Sequence, residues 1–103
     1  MLTTEFTIAP DHPALPGHFP GHPIVPGVVT LDHVAQALLV QHPQLELAGF
    51  PQVKFTRPVL PAQAVTVSFT HKKDNLFQFR CTLEGELAVT GQIRLQPKDA
   101  QFG

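Results

Sequence analysis

Residues 18–37 constrain this chain more than any other stretch. They read His-Phe-Pro-Gly-His-Pro-Ile-Val-Pro-Gly-Val-Val-Thr-Leu-Asp-His-Val-Ala-Gln-Ala. The first half holds Pro20, Gly21, Pro23 and Pro26, so it cannot be regular helix or central strand, because proline fixes φ and lacks an N–H. Pro26-Gly27 marks a helix start, where both residues are tolerated. Beyond it Val28, Leu31, Ala35 and Leu38 recur at three- and four-residue steps, and Leu39 widens the stripe. This spacing predicts a helix from 27 to 40 or 41, which Pro43 stops. Asp32 falls one turn past the helix start. Gln36 follows four residues later, so the two side chains share a face and lie within hydrogen-bonding reach.

The flanks complete an α+β pattern. Prolines number 11, about twice the usual ~5% share. Six of them lie between residues 10 and 26, which predicts an irregular loop there. A short strand is expected at 5–9, with Phe6 and Ile8 on one side. After the helix, 49–51 reads as a turn. Strands follow at 53–59, with Val53 and Phe55 inward until Pro58, and at 65–70, with Val65, Val67 and Phe69 inward. Residues 72–75 form a polar turn. Phe77, Phe79, Cys81 and Leu83 share one face of a strand at 76–83. A turn at 84–86 leads to a strand at 87–95, with Leu87, Val89, Ile93 and Leu95 on one face and Thr90, Gln92 and Arg94 on the other. Residues 98–103 read as a frayed tail. Period-two alternation predicts an antiparallel meander with one face buried, and the apolar helix must cover that face.

Length and charge narrow the class. A chain of 103 residues fits one domain, 1–103. Apolar residues make up 43%, and the net charge is −1, so overall charge points to neither nucleic acid nor membrane. One cysteine makes no internal disulfide, and the first residues show no basic start or apolar run, which together lead us to expect a cytoplasmic protein.

The 18–37 stretch resembles the active-site segment of the 3-hydroxyacyl-[acyl-carrier-protein] dehydratases, hotdog-fold enzymes of fatty acid synthesis. Their motif runs roughly His-Phe-Pro-Gly-x-Pro-x-x-Pro-Gly-Val, then a helix with Glu or Asp and a Gln four residues on. Lys54-Phe55-Thr56-Arg57-Pro58-Val59-Leu60-Pro61 is similar to the family's Phe-x-Arg-Pro-Val-x-Pro strand, and the likeness covers about residues 17–65. The resemblance implies a hotdog fold, in which an antiparallel sheet wraps one central helix. It also implies a dimer with sheets joined edge to edge. Long edge strands in a small domain agree with such pairing. His18 falls on the family's catalytic histidine, Asp32 on its catalytic acid and Gln36 on the glutamine that orients the acid. The working pair then comes from two protomers. The implied activity is loss of water from a 3-hydroxyacyl thioester on acyl carrier protein, in fatty acid synthesis or in polyketide-like or aryl-polyene-like lipid synthesis. No cofactor is implied beyond the carrier's phosphopantetheine.

The residue types suit that chemistry. Imidazole titrates near neutral pH, so His18 suits removal of the α-proton. Asp32 suits protonation of the leaving hydroxyl if an apolar wall keeps it protonated, and its neighbours Leu31 and Val34 predict partial burial. The N–H groups around Gly27 and Val28 suit the thioester oxygen, and Gly27 permits close approach. Phe19 and Pro26 flank this substrate-binding segment.

Other features leave more than one reading. An acid alone, activating water, would make a hotdog thioesterase. A non-catalytic subunit paired with a larger hotdog protein is a third possibility, and a heterodimer accompanies it. Typical members carry an extra apolar segment before the catalytic loop, and many have Glu where Asp32 stands. The branch that also isomerises the double bond uses Asp. His12, His18, His22 and His33 cluster with Asp11 and Asp32, yet their spacing matches no tight metal-ligand pattern, and His22 and His33 read as rim residues. Cys81 reads as a core filler. Phe77 and Phe79 read as core or as the lining of an acyl tunnel. Lys54, Arg57, Lys72, Lys73 and Arg80 oppose only Asp74 between positions 54 and 80. They fit a docking face for acidic acyl carrier protein, with Arg57 foremost, or a solvated strand face.

Overall fold

The computed structural model describes residues 2–8 and 25–98. Most of the expected loop, including His12, His18, Phe19 and His22, lies outside these residues, as does the tail from 99 on. The described elements are β1 (Leu2–Thr7), α1 (Gly27–Leu39), β2 (Leu45–Phe55), β3 (Ala64–Lys73), β4 (Leu76–Leu83) and β5 (Glu86–Pro97). The strands form one antiparallel sheet in the order β1-β3-β4-β5-β2. Among the described residues no helix is long and apolar enough to cross a membrane.

The meander β3–β4–β5 follows from its alternation. Val65, Val67, Phe69, Phe79, Cys81, Val89 and Ile93 are buried on one face, as period two requires. Leu83 pairs with Glu86 across the two-residue loop Glu84-Gly85, whose φ angles are 52° and 83°. Two successive positive φ values suit the right-handed twist of a hairpin, and glycine takes one of them without steric cost. The helix lays Val29, Thr30, Val34, Ala35 and Leu38 on this face, so sheet and helix share one core.

Four expectations are corrected. Val28 is 73% exposed rather than part of the core stripe. It is the second residue of α1, in the first turn, while full burial is reached further along at Val34, Ala35 and Leu38. The segment 49–51 is not a turn but the irregular middle of β2. Register shifts fall between Leu47 and Gly49 and between Gly49 and Gln52. β2 is an edge strand of the described sheet, and an edge tolerates the missing N–H of Pro51. Gly91 of β5 makes this irregular pairing possible, because a Cβ there would stand 2.2 Å from the Gln52 carbonyl oxygen. β2 also ends at Phe55, short of 59, and Phe55 is 50% exposed rather than inward.

Candidate functional site

The start of α1 is held from two sides. The Val25 N–H donates to the Val59 carbonyl at 2.8 Å, tying the helix entry to the segment after β2. The Val29 and Thr30 N–H groups both donate to the Pro26 carbonyl, at 3.0 and 3.3 Å. Pro26 supplies no side-chain cap. The first two N–H groups of the helix, on Gly27 and Val28, therefore lack a backbone acceptor among the described residues. Such a terminus carries partial positive charge and open donors.

A bulge in β5 builds the opposite wall. Ala88 is the extra residue between the pairs Cys81–Val89 and Thr82–Leu87. Its carbonyl accepts the N–H groups of Thr56 at 2.8 Å and Arg57 at 3.2 Å, while the Thr56 hydroxyl donates to the Leu87 carbonyl at 2.8 Å. These bonds hold the chain leaving β2 beside the helix start. Between them lies a cavity of about 430 Å³, lined by Val25, Gly27, Thr30, Phe55, Thr56, Arg57, Pro58 and Val59. The Phe55 ring stands over Gly27, where a Cβ would come within 2.8 Å of its Cζ. Gly27 thus makes room for the ring.

Thr30 was not anticipated as a site residue. It is 1% exposed, and its Oγ1 has no hydrogen-bond partner among the described residues. An unpaired buried hydroxyl costs about 1–3 kcal/mol. The sequence carried one signal for it, a hydroxyl residue four positions before Val34 on the core side of an otherwise apolar stripe. The strand phase of Phe55 predicts an inward ring, and the ring stands instead over the helix start.

Asp32 and Gln36 do share a face of α1, but both are exposed. The expected partial burial of Asp32 is corrected. Leu31 and Val34 turn towards the core, while Asp32 stands beside exposed Val28 on the other side. Asp32 and Gln36 make no side-chain hydrogen bond to each other among the described residues. The His33 Nδ1 lies 2.9 Å from the Val29 carbonyl oxygen, and its ring stacks on Phe6 at 5.1 Å.

The basic residues are divided. Arg57 lines the helix-start cavity and pairs with Glu86. Lys54 and Lys72 line a separate groove of about 250 Å³ with Gln52, Gln78, Thr90 and Gln92 on the outer sheet face. Lys73 is exposed at the end of β3. Cys81 is fully buried, and burial pushes its thiol from 9.0 up to about 12, which keeps it protonated in the core. Phe79 packs edge-on against Phe50, with ring centres 5.9 Å apart.

Comparison with known proteins agrees with this architecture. The pattern of the ApeI-like family, described as ApeI dehydratase, matches residues 1–92. The 3-hydroxyacyl-[acyl-carrier-protein] dehydratase FabZ of Ehrlichia chaffeensis is 35% identical over 98 residues, which cover 85% of this chain and 68% of that protein. The ApeI:P dehydratase heterocomplex of Xenorhabdus doucetiae matches with a TM-score of 0.73 at 28% identity, over 90% of this chain and 84% of that one. An uncharacterized protein of Erwinia carotovora subsp. atroseptica matches with a TM-score of 0.79 at 26% identity, over 93% and 82%. The chain has the hotdog fold and belongs to the ApeI-like family of dehydratases.

Proposed function

We propose that this chain removes water from a 3-hydroxyacyl thioester carried on acyl carrier protein, giving the trans-2-enoyl thioester. His18 takes the proton from C2, and that electron pair forms the C2–C3 double bond. The C3–O bond breaks, and Asp32 gives its proton to the departing hydroxyl, which leaves as water. The open amides of Gly27 and Val28 bind the thioester oxygen while negative charge gathers on it. Gln36 holds the Asp32 carboxyl in one orientation, and Phe19 and Pro26 shape the approach. Proton exchange with solvent then returns His18 and Asp32 to their starting states. No cofactor takes part beyond the phosphopantetheine arm of the carrier.

One observation carries the proposal. An acid and an amide side chain stand exposed on one helix face, within a turn or two of two helix-start amides that have no backbone acceptor among the described residues. Asp32 is exposed, whereas a group that acts on a substrate works from an enclosed site. A second chain laid over this face would enclose it. Val28, Leu47 and Phe55 are exposed hydrophobics on the helix and the edge strand β2, the surface that such a chain would cover. We infer a dimer in which His18 of the partner subunit meets Asp32. The relative's dehydratase heterocomplex, ApeI:P, supports a different protein chain as the alternative occupant. Lys54, Lys72 and Lys73, with Arg57 nearer the helix, form the docking surface for the acidic carrier, and the pathway is synthesis of a fatty acid or a related lipid. A thioesterase would need only Asp32 and water, whereas the family match is to dehydratases.

The test is mass spectrometry of 3-hydroxyacyl-carrier protein after incubation with wild type, His18→Ala and Asp32→Asn, coupled to an enoyl reductase. Loss of one water with wild type alone is the expected result. Free carrier protein, still released by His18→Ala, would establish a thioesterase instead.

A further inference from the structure

Two exposed polar side chains, Thr56 and Arg57, line the cavity at the start of α1, on the segment that leaves β2. We propose that this pair binds the first amide of the carrier's pantetheine arm, the one separated from the sulfur by two methylenes. Arg57 donates to the amide carbonyl and Thr56 accepts the amide N–H; this rests on the dehydration proposed above.

The helix sets the direction of the arm. Thr30 and Asp32 lie two residues apart, roughly 160° around α1. A thioester carbon carries its oxygen, C2 and the sulfur on three diverging bonds. With the oxygen on the Gly27 and Val28 amides and the reacting carbons beside Asp32, the sulfur leaves towards the opposite side of the helix tip. The cavity lies on that side, bounded by Gly27 and Thr30 and by the chain leaving β2. Its volume of about 430 Å³ holds an amide and the methylenes on either side of it.

The lining matches such a segment. Phe55, Pro58 and Val59 offer apolar wall to methylenes. The backbone N–H groups of Thr56 and Arg57 are both spent on the Ala88 carbonyl, so a ligand meets their side chains. The Thr56 hydroxyl gives its one proton to the Leu87 carbonyl, which leaves its oxygen as an acceptor. The Arg57 guanidinium only donates. Glu86 engages its Nη1, and the fork has further N–H groups for a ligand. One acceptor beside one donor fits the N–H and C=O of an amide. An anion would use Arg57 and leave Thr56 without a role, and a hydrocarbon would use neither. Arg57 is thereby set apart from Lys54 and Lys72, which line the groove on the outer sheet face.

The experiment compares kcat/KM for two 3-hydroxyhexanoyl thioesters. One is the N-acetylcysteamine thioester, which keeps this amide, and the other is the pentanethiol thioester, which has methylenes in its place. It uses full-length wild type and Arg57→Met, at a temperature where melting curves show both folded. Wild type should prefer the N-acetylcysteamine thioester by about 10-fold or more, the usual worth of a hydrogen bond from a charged donor. Arg57→Met should lose most of that preference. A flat profile in wild type overturns the proposal. So does a preference that survives in Arg57→Met while only the carrier-borne substrate suffers, which would make Arg57 a docking contact alone. If wild type dehydrates neither these thioesters nor 3-hydroxyhexanoyl-carrier protein, the dehydratase proposal fails separately. Calorimetric binding of unreactive analogues, with nitrogen in place of the thioester sulfur, then decides the role of Arg57. Tighter binding of the N-acetylcysteamine-type analogue that disappears in Arg57→Met supports it, and equal binding or no binding overturns it.

Discussion

Single residues divide into those whose place the sequence announced and those it hid. Asp32 and Gln36 share a helix face, as their spacing of four predicts, and Cys81 sits in the core, as its strand phase predicts. Exposure was harder to read, because helical spacing assigns neighbours along the helix but not which side meets the sheet. Val28 and Phe55 are apolar yet exposed, and Thr30 is polar yet buried. Such inversions gather where a ligand or a second chain is expected. Two predictions belong at this scale. His18→Ala and Asp32→Asn should each lower kcat/KM for dehydration by ~10²–10⁴-fold, the usual contribution of a positioned acid or base. Cys81 gives a pH signature. Its thiol ionises near 9.0 when exposed by unfolding and near 12 in the fold. The folded chain therefore holds this proton more tightly, and the stability it contributes is complete below pH 9.0 and lost as pH rises through about 12. Chemical denaturation at several pH values should show a steeper alkaline loss in wild type than in Cys81→Ala. Equal slopes would mean that the thiol is not held neutral.

At the scale of elements, the strands with clean alternation were the legible ones. β4 occupies Leu76–Leu83, the bounds that its pattern predicts, because both faces and both turns carry clear signals. β2 was half hidden. Its Gly49-Phe50-Pro51 has the composition of a turn, but an edge strand absorbs such residues through register shifts. The bulge at Ala88 left no sequence signal at all, yet it fixes Thr56 and Arg57 beside the helix start. The pairing across Gly91 leaves no room for a side chain, since the obstructing atoms are backbone. Gly91→Ala should destabilise the fold by about 1–3 kcal/mol in urea denaturation, the usual cost of overpacking. Glu84 holds φ 52° in the Glu84-Gly85 hairpin, a conformation that asparagine adopts more readily. Glu84→Asn should stabilise by about 0.5–1 kcal/mol in the same assay.

For the molecule as a whole, the fold was legible and the completed site was not, for a physical reason. Among the described residues the Gly27 and Val28 amides at the helix start have no backbone acceptor, and Asp32 is exposed. Under the proposed function, a second subunit encloses Asp32. The edge strand β2 and the exposed Val28, Leu47 and Phe55 mark where a second subunit would add to the sheet and cover the helix face. Dimerisation, carrier docking and catalysis are then linked, and dilution below the dimer's dissociation constant should abolish dehydration. The most direct measurement mixes His18→Ala and Asp32→Asn proteins, each inactive alone, after joint unfolding and refolding. Each mixed dimer would hold one intact site, His18 from one chain and Asp32 from the other. With random assortment, activity should return to about a quarter of wild type. A mixture as inactive as its components, beside an active wild type, would contradict a site shared between two copies of this chain.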